Sequence, residues 1–166
     1  MNIENLDDLF EDQLRDILYA EKKITKAIAK MIKSANSPEL KKSFTKHGVE
    51  TLDQISKLEA VMTSLEMKIK AQKCEAIEGI LKEADEIIAS VKDPQVMDAA
   101  LILAAQKVEH YEIATYGCLC AFAQQLGYSK QAKILMSILD QEKAADTHLS
   151  ELAQEAPALN EMARAA

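Results

Sequence analysis

Tryptophan is absent from this sequence, and only four glycines and three prolines punctuate its 166 residues. So few chain breakers, set against an abundance of Ala, Leu, Ile, Lys, Glu and Gln, exclude a turn-rich β architecture and favour helix almost throughout. No apolar run is long and charge-free enough to span a bilayer. Basic clusters are missing too: the formal charge is −7 and the isoelectric point lies near 5.1. That balance argues against nucleic acid or an anionic membrane as partner and makes cations the natural ligands. Cys74, Cys118 and Cys120 form no CxxC pair, and their odd number suits reduced thiols that fill the core. The acidic start, MNIENLDDLFEDQLRD, lacks the basic and apolar regions of a secretory signal, so a cytoplasmic location is expected. No Gly-rich phosphate loop and no Ser-His-Asp or Cys-His set can be placed, which sets aside nucleotide chemistry and nucleophilic hydrolysis.

What remains is helix. Apolar residues at Phe10, Leu14, Ile17, Ile24, Ile28 and Met31 recur at spacings of three and four and predict a helix from Asn5 to Ser34. Asn36-Ser37-Pro38 ends it, and Ser37 then caps a second helix that continues to Met67. A shorter third helix spans Cys74 to Val91. Asp93-Pro94 opens a fourth that runs to Leu126, where Gly127 stops it, and a fifth covers Ser129 to Gln154. Two long hairpins joined by a helical connection predict an all-α antiparallel four-helix bundle with one additional short helix in the crossover. Residues 1–156 are expected to form this single domain and 157–166 a frayed tail. Glu21 and Glu50 of the first hairpin have counterparts in Glu112 and Glu142 of the second, and Gln54 maps onto Asp146, which suggests an internal repeat.

Acids occupy seats that packing would give to Leu or Ile. The fourth helix reads Ile102, Ala105, Glu109, Glu112, Tyr116, Leu119, Ala123 along one face, so Glu109 and Glu112 point inward one turn apart. Glu142, followed by Asp146, interrupts the stripe of Leu135, Ile138, Leu149 and Leu152. Glu21 interrupts that of Ile17 and Ile24. In the second helix Glu50, Gln54 and His47 lie at the edge of the face formed by Phe44, Ile55, Leu58 and Met62, and Asp53 points away. All four interruptions fall near mid-helix, so an antiparallel bundle brings them to one level.

Carboxylates in a low-dielectric core must take up protons, admit water or bind cations. An oxygen-rich set suits hard ions, and carboxylates can bridge two of them. Iron or manganese is therefore expected, two ions per chain. For a single Glu the ordinary reading is a solvated face or an ion pair; coincidence on four helices outweighs it. His110 is expected to be a core or interface histidine that could orient a ligand. His148 reads as surface, His47 stands evenly between roles, and Tyr116 reads either as packing or as a hydrogen-bond donor to the site. Met62, Met67 and Met136 read as core.

The segments AQKVEHYEIATYG, YAEKKI, HGVETLDQI and LDQEKAADTHL resemble the ferritin-like stress proteins called YciF, and the resemblance covers most of the chain. It implies a ferritin-like four-helix bundle with an added helix, a homodimer, and metal residues Glu21, Glu50, Glu109, Glu112, Glu142 and Asp146 with Gln54 beside them. Neither Glu50-x-x-Asp53 nor Glu142-x-x-Ala145 supplies the Glu-x-x-His of the wider ferritin-like pattern. Glu109-x-x-Glu112 is instead similar to the arrangement in rubrerythrin. The expected function is a carboxylate-bridged di-metal protein with redox activity toward oxygen or peroxide in stress response. A non-catalytic stress or scaffold protein with a structural metal is the alternative. Metal storage would need a cage that nothing in the sequence announces. Val49 and Leu52, apolar but off the main stripe, agree with a dimer.

Overall fold

The computed structural model describes residues 2–155 and 158–164. Six helices follow one another: α1 (Leu6–Ser34), α2 (Pro38–Ser64), α3 (Glu75–Ser90), α4 (Pro94–Gln125), α5 (Ser129–Gln154) and α6 (Leu159–Arg164). Their boundaries have local causes. Asn5 caps α1 by accepting the amide of Asp8 at 2.9 Å, and Ser37 caps α2 through the amide of Leu40 at 3.3 Å. Asp93 accepts the amides of Gln95 and Val96 at 2.8 and 3.1 Å, with Pro94 at the first position of α4. These side chains satisfy donors that a helix start leaves without intrahelical partners. Gly127, at φ +79°, ends the α4 segment in the left-handed region that glycine enters without cost.

The four long helices form a ring in which α1 packs on α2, α2 on α5, α5 on α4 and α4 on α1. The expected four-helix bundle is thus observed, with α3 laid over α1 and α4 as the helix of the crossover. Every residue of the stripe Phe10, Leu14, Ile17, Ile24, Ile28 and Met31 is buried, as is the whole α4 face from Ile102 to Ala123 that the spacing picks out. No helix among the described residues is long and apolar enough to cross a membrane.

One buried acid serves the fold alone. Asp98 of α4 accepts the amides of Asn36 and Ser37 at 2.6 and 2.9 Å, which pins the α1–α2 turn to the start of the second hairpin.

Several expectations need correction. The second helix stops at Ser64 rather than Met67, because Glu66 takes a positive φ of 57° and the chain turns back with the Met67 amide on the Met62 carbonyl. Within the tail expected to fray, residues 159–164 form α6, whose Leu159 is buried in the core cluster and which packs on α4 and α5. Pro157, Ala165 and Ala166 lie outside the described residues. Cys74 and Cys120 are buried, but Cys118 is exposed. Met136 is exposed as well, whereas Met62 is fully buried. His110, expected in the core or an interface, has a side chain 68% exposed and so lies outside the core.

Candidate metal centre

Each long helix contributes to one buried polar cluster at mid-bundle. α1 supplies Glu21, α2 supplies His47 and Gln54, α4 supplies Glu109 and Glu112, and α5 supplies Glu142; all six are buried. Nε2 of His47 lies 3.2 Å from Oε1 of Glu109 and 3.9 Å from Oε2 of Glu142. His47, Glu109, Glu112 and Glu142 each offer a ligand atom within 4.8 Å of the others. This group can hold a metal ion.

The polar partners of the cluster leave most of its lone pairs free. Tyr116, fully buried on α4, donates its hydroxyl to Oε1 of Glu21, and Nε2 of Gln54 donates to Oε1 of Glu142. Glu21 Oε2, Glu109 Oε2, both oxygens of Glu112, Glu142 Oε2, Gln54 Oε1 and both His47 nitrogens have no hydrogen-bond partner among the described residues. No lysine or arginine among them reaches the four buried glutamates. Lys107, two residues before Glu109, turns outward to Glu83 at 2.8 Å, and Lys22, next to Glu21, turns to Glu59 at 2.9 Å. Buried carboxylates without cation or donor are costly, so the free atoms mark a place prepared for positive charge.

The electrostatics say the same. Burial, and next the charge of Glu142, pushes the Glu21 carboxyl up to about 8, although the Tyr116 hydroxyl pulls it down. Glu109 rises well above the usual carboxylate range through burial and then its contact with Glu142. Glu112 rises through burial and the charges of Glu142, Glu21 and Glu109. Without a metal, Glu21, Glu109 and Glu112 hold their protons more tightly than ordinary carboxyls. Carboxylate oxygens plus one imidazole, with their unpartnered atoms, fit a hard metal cation.

Of the seven residues expected to hold metal, Glu21, Gln54, Glu109, Glu112 and Glu142 come together in the buried cluster. Glu50 and Asp146 stand at its rim with side chains 23% and 21% exposed. Oε2 of Glu50 is 3.9 Å from Nδ1 of His47, and its Oε1 meets Lys46 at 3.3 Å. Asp146 lies 3.3 Å from the exposed His110 and takes a hydrogen bond from Gln106 at 3.3 Å. The repeat is therefore imperfect: Gln54 is buried where its counterpart Asp146 is at the rim, and Glu142 is buried where Glu50 is not. His47, left even between roles, sits inside the cluster. Asp53 points away as expected and pairs with Lys57 at 2.8 Å.

Comparisons with known proteins bear on family and fold. The family described as "Domain of unknown function (DUF892)" matches residues 5–162. Protein YciF of Escherichia coli K12 is 47% identical over 154 residues, which span 92% of this chain and 93% of that protein. The crystal structure of the E. coli stress protein YciF superposes with a TM-score of 0.87 at 46% identity, covering 91% of this chain and 96% of that one. The Rhodopseudomonas palustris protein YcfI superposes with a TM-score of 0.88 at 45% identity, covering 90% and 95%. A Xanthomonas campestris protein at 23% identity and a TM-score of 0.70, covering 89% and 91%, shares the fold. Over nearly its whole length, with the helical bundle its relatives have, the chain belongs to the DUF892 family of YciF-type proteins.

Proposed function

We propose that the chain binds two iron or manganese ions and has redox activity toward oxygen or peroxide in a stress response. The observation that carries this reading is the set of buried, unpartnered donor atoms on Glu21, His47, Glu109, Glu112 and Glu142. Glu112 suits a shared ligand, because both its oxygens are free. Glu21 and Glu142 suit ligation through one oxygen, because Tyr116 and Gln54 occupy the other. Glu50 and Asp146, at the rim, would complete the ligand set by turning inward, and Gln54 has a free Oε1 for the same purpose. When bound, iron or manganese supplies changes of valence that exchange electrons with the oxidant. The surrounding apolar helices exclude bulk water and hold the carboxylates in place. The word stress comes from the E. coli relative.

Anaerobic addition of ferrous iron to the metal-free protein is expected to give two ions per chain by metal analysis, followed by consumption of oxygen or hydrogen peroxide. Protein that remains metal-free under those conditions ends the reading. A second reading, a non-catalytic protein whose metal staples the bundle, is favoured by the burial of the cluster and by the structural role suggested for the R. palustris relative. The two part at Glu112→Gln: a staple loses thermal stability with its metal, whereas a redox centre loses turnover whatever happens to the melting temperature. A homodimer and a cytoplasmic location belong to the same proposal. Val49 and Leu52, 66% and 55% exposed on α2, favour the dimer, which a monomeric mass by light scattering would remove.

A further inference from the structure

Beside the cluster the bundle does not close completely. Ile24, Ile28 and Met31 of α1 and Phe44 of α2 border a cavity of about 10 Å³ whose inner wall is His47 and Glu109. A space of that size takes one molecule of about water's dimensions. Every residue that lines it is buried except Ala27, which is half-buried, so Ala27 is where the cavity wall meets solvent. Ala27 also borders a surface groove of about 530 Å³ between α1 and α3. One alanine thus stands between solvent and the His47–Glu109 edge of the centre, the thinnest part of the wall.

We propose that this cavity is the passage by which dioxygen reaches the centre; the inference rests on the redox reading above and adds its oxidant and its route. The lining is aliphatic and aromatic up to the ligands themselves, and no carboxylate precedes Glu109 along it. A hydrated cation would lose its water there without replacement, and hydrogen peroxide would lose hydrogen bonds, whereas dioxygen has none to lose. In the groove outside, Glu78, Asp85 and Glu86 are each paired with a lysine (Lys23, Lys30 and Lys82) and Lys26 adds a further positive charge, so the groove offers a metal ion no unpaired carboxylate. The cavity, at about 10 Å³, is too small for organic peroxides. Metal therefore enters elsewhere, and the passage serves the gas.

Paramagnetic relaxation by dissolved dioxygen tests this without any metal. In metal-free protein under oxygen pressure, the methyl groups of Ile24, Ile28 and Met31 are expected to relax faster than those of Leu14 and Ile17, which are packed at 0% exposure. Equal enhancement in the two sets overturns the passage. Ala27→Phe fills the mouth: it is expected to abolish the enhancement and to slow oxygen consumption by the ferrous-loaded protein about tenfold, with iron uptake unchanged. Oxygen consumption that stays at the parent rate in this variant also overturns the passage. If the methyl groups respond to oxygen while the ferrous-loaded parent protein consumes none, the cavity admits dioxygen and it is the redox reading that falls.

Discussion

Tyr116 on α4 and Glu21 on α1, both fully buried, are joined by a hydrogen bond from the phenol to Oε1, and Oε2 of the same carboxylate is left without a partner. Gln54 and Glu142 repeat the relationship between α2 and α5. In each pair a neutral donor fixes the carboxylate without cancelling its charge, as a lysine or arginine would. The second oxygen of each carboxylate is left free to meet a cation. Glu112 lies in charge contact with Glu142 and Glu21, and it meets Glu21 by a hydrogen bond only when one of the two is protonated.

Tyr116→Phe keeps the ring and removes the donor. Glu21 then loses its orientation and the influence that lowers its proton affinity. Metal affinity, measured by competition with a chelator, is expected to fall about tenfold, and the metal-free protein to lose about 1 kcal/mol of unfolding free energy. Unchanged metal affinity would make Tyr116 a packing residue only.

How much of this was legible in the sequence differs from helix to helix. Glu109, Glu112, Glu21 and Glu142 stand out because each breaks an otherwise apolar stripe. Ser37-Pro38, Asp93-Pro94 and Gly127 mark helix ends through local chemistry that acts whatever the tertiary context. On α2 the buried residues Leu40, Phe44, His47, Thr51, Gln54, Leu58 and Val61 follow a regular alternation of three and four, with Met62 buried beside the last. Three successive polar residues occupy its middle, so an apolar pattern does not reveal it and Glu50 seems as well placed as His47. The spacing from Phe44 to Leu58 was the available signal. Asp98 was invisible for a different reason: its partners are backbone amides some sixty residues away, and no side-chain pattern announces them.

Asp98→Ala tests that contact. Two amides lose a charged acceptor, but Asn36 is exposed and Ser37 half-buried, so water replaces part of the loss. Unfolding free energy is expected to fall by about 1–2 kcal/mol, read by denaturant titration, with metal binding unaltered. Asp98→Asn keeps one acceptor and is expected to lose about half as much.

Gly48→Ala has its sign decided by the cavity. A Cβ at Gly48 would meet Cγ2 of Ile28 at 3.3 Å, tight enough that the neighbour must give. Ile28 borders free space and has room to do so. Removing a glycine from the interior of α2 is then expected to stabilise the protein by about 0.5 kcal/mol, seen as a higher melting temperature. A loss of stability would mean that Ile28 is held as firmly as the rest of the core.

The metal-free protein should lose stability as pH rises. Glu21 holds its proton in the fold up to about 8, against 4.5 for the ordinary carboxyl, because burial and then Glu142 disfavour its charge. A group whose proton affinity is raised by folding stabilises the native state fully below its unfolded value and loses that contribution as pH climbs through its folded value. The fall is therefore expected between about 4.5 and 8, and Glu109 and Glu112, shifted in the same direction, deepen it. Glu112→Gln removes one of the mutually repelling charges. It is expected to raise the melting temperature of metal-free protein at pH 8 while lowering metal affinity, two effects of opposite sign from one substitution. Bound metal takes the place of the protons, so the loaded parent protein should keep its stability across the same window. Thermal melts with and without metal across that pH range read all three, and a metal-free protein that is most stable at its alkaline end would overturn the account.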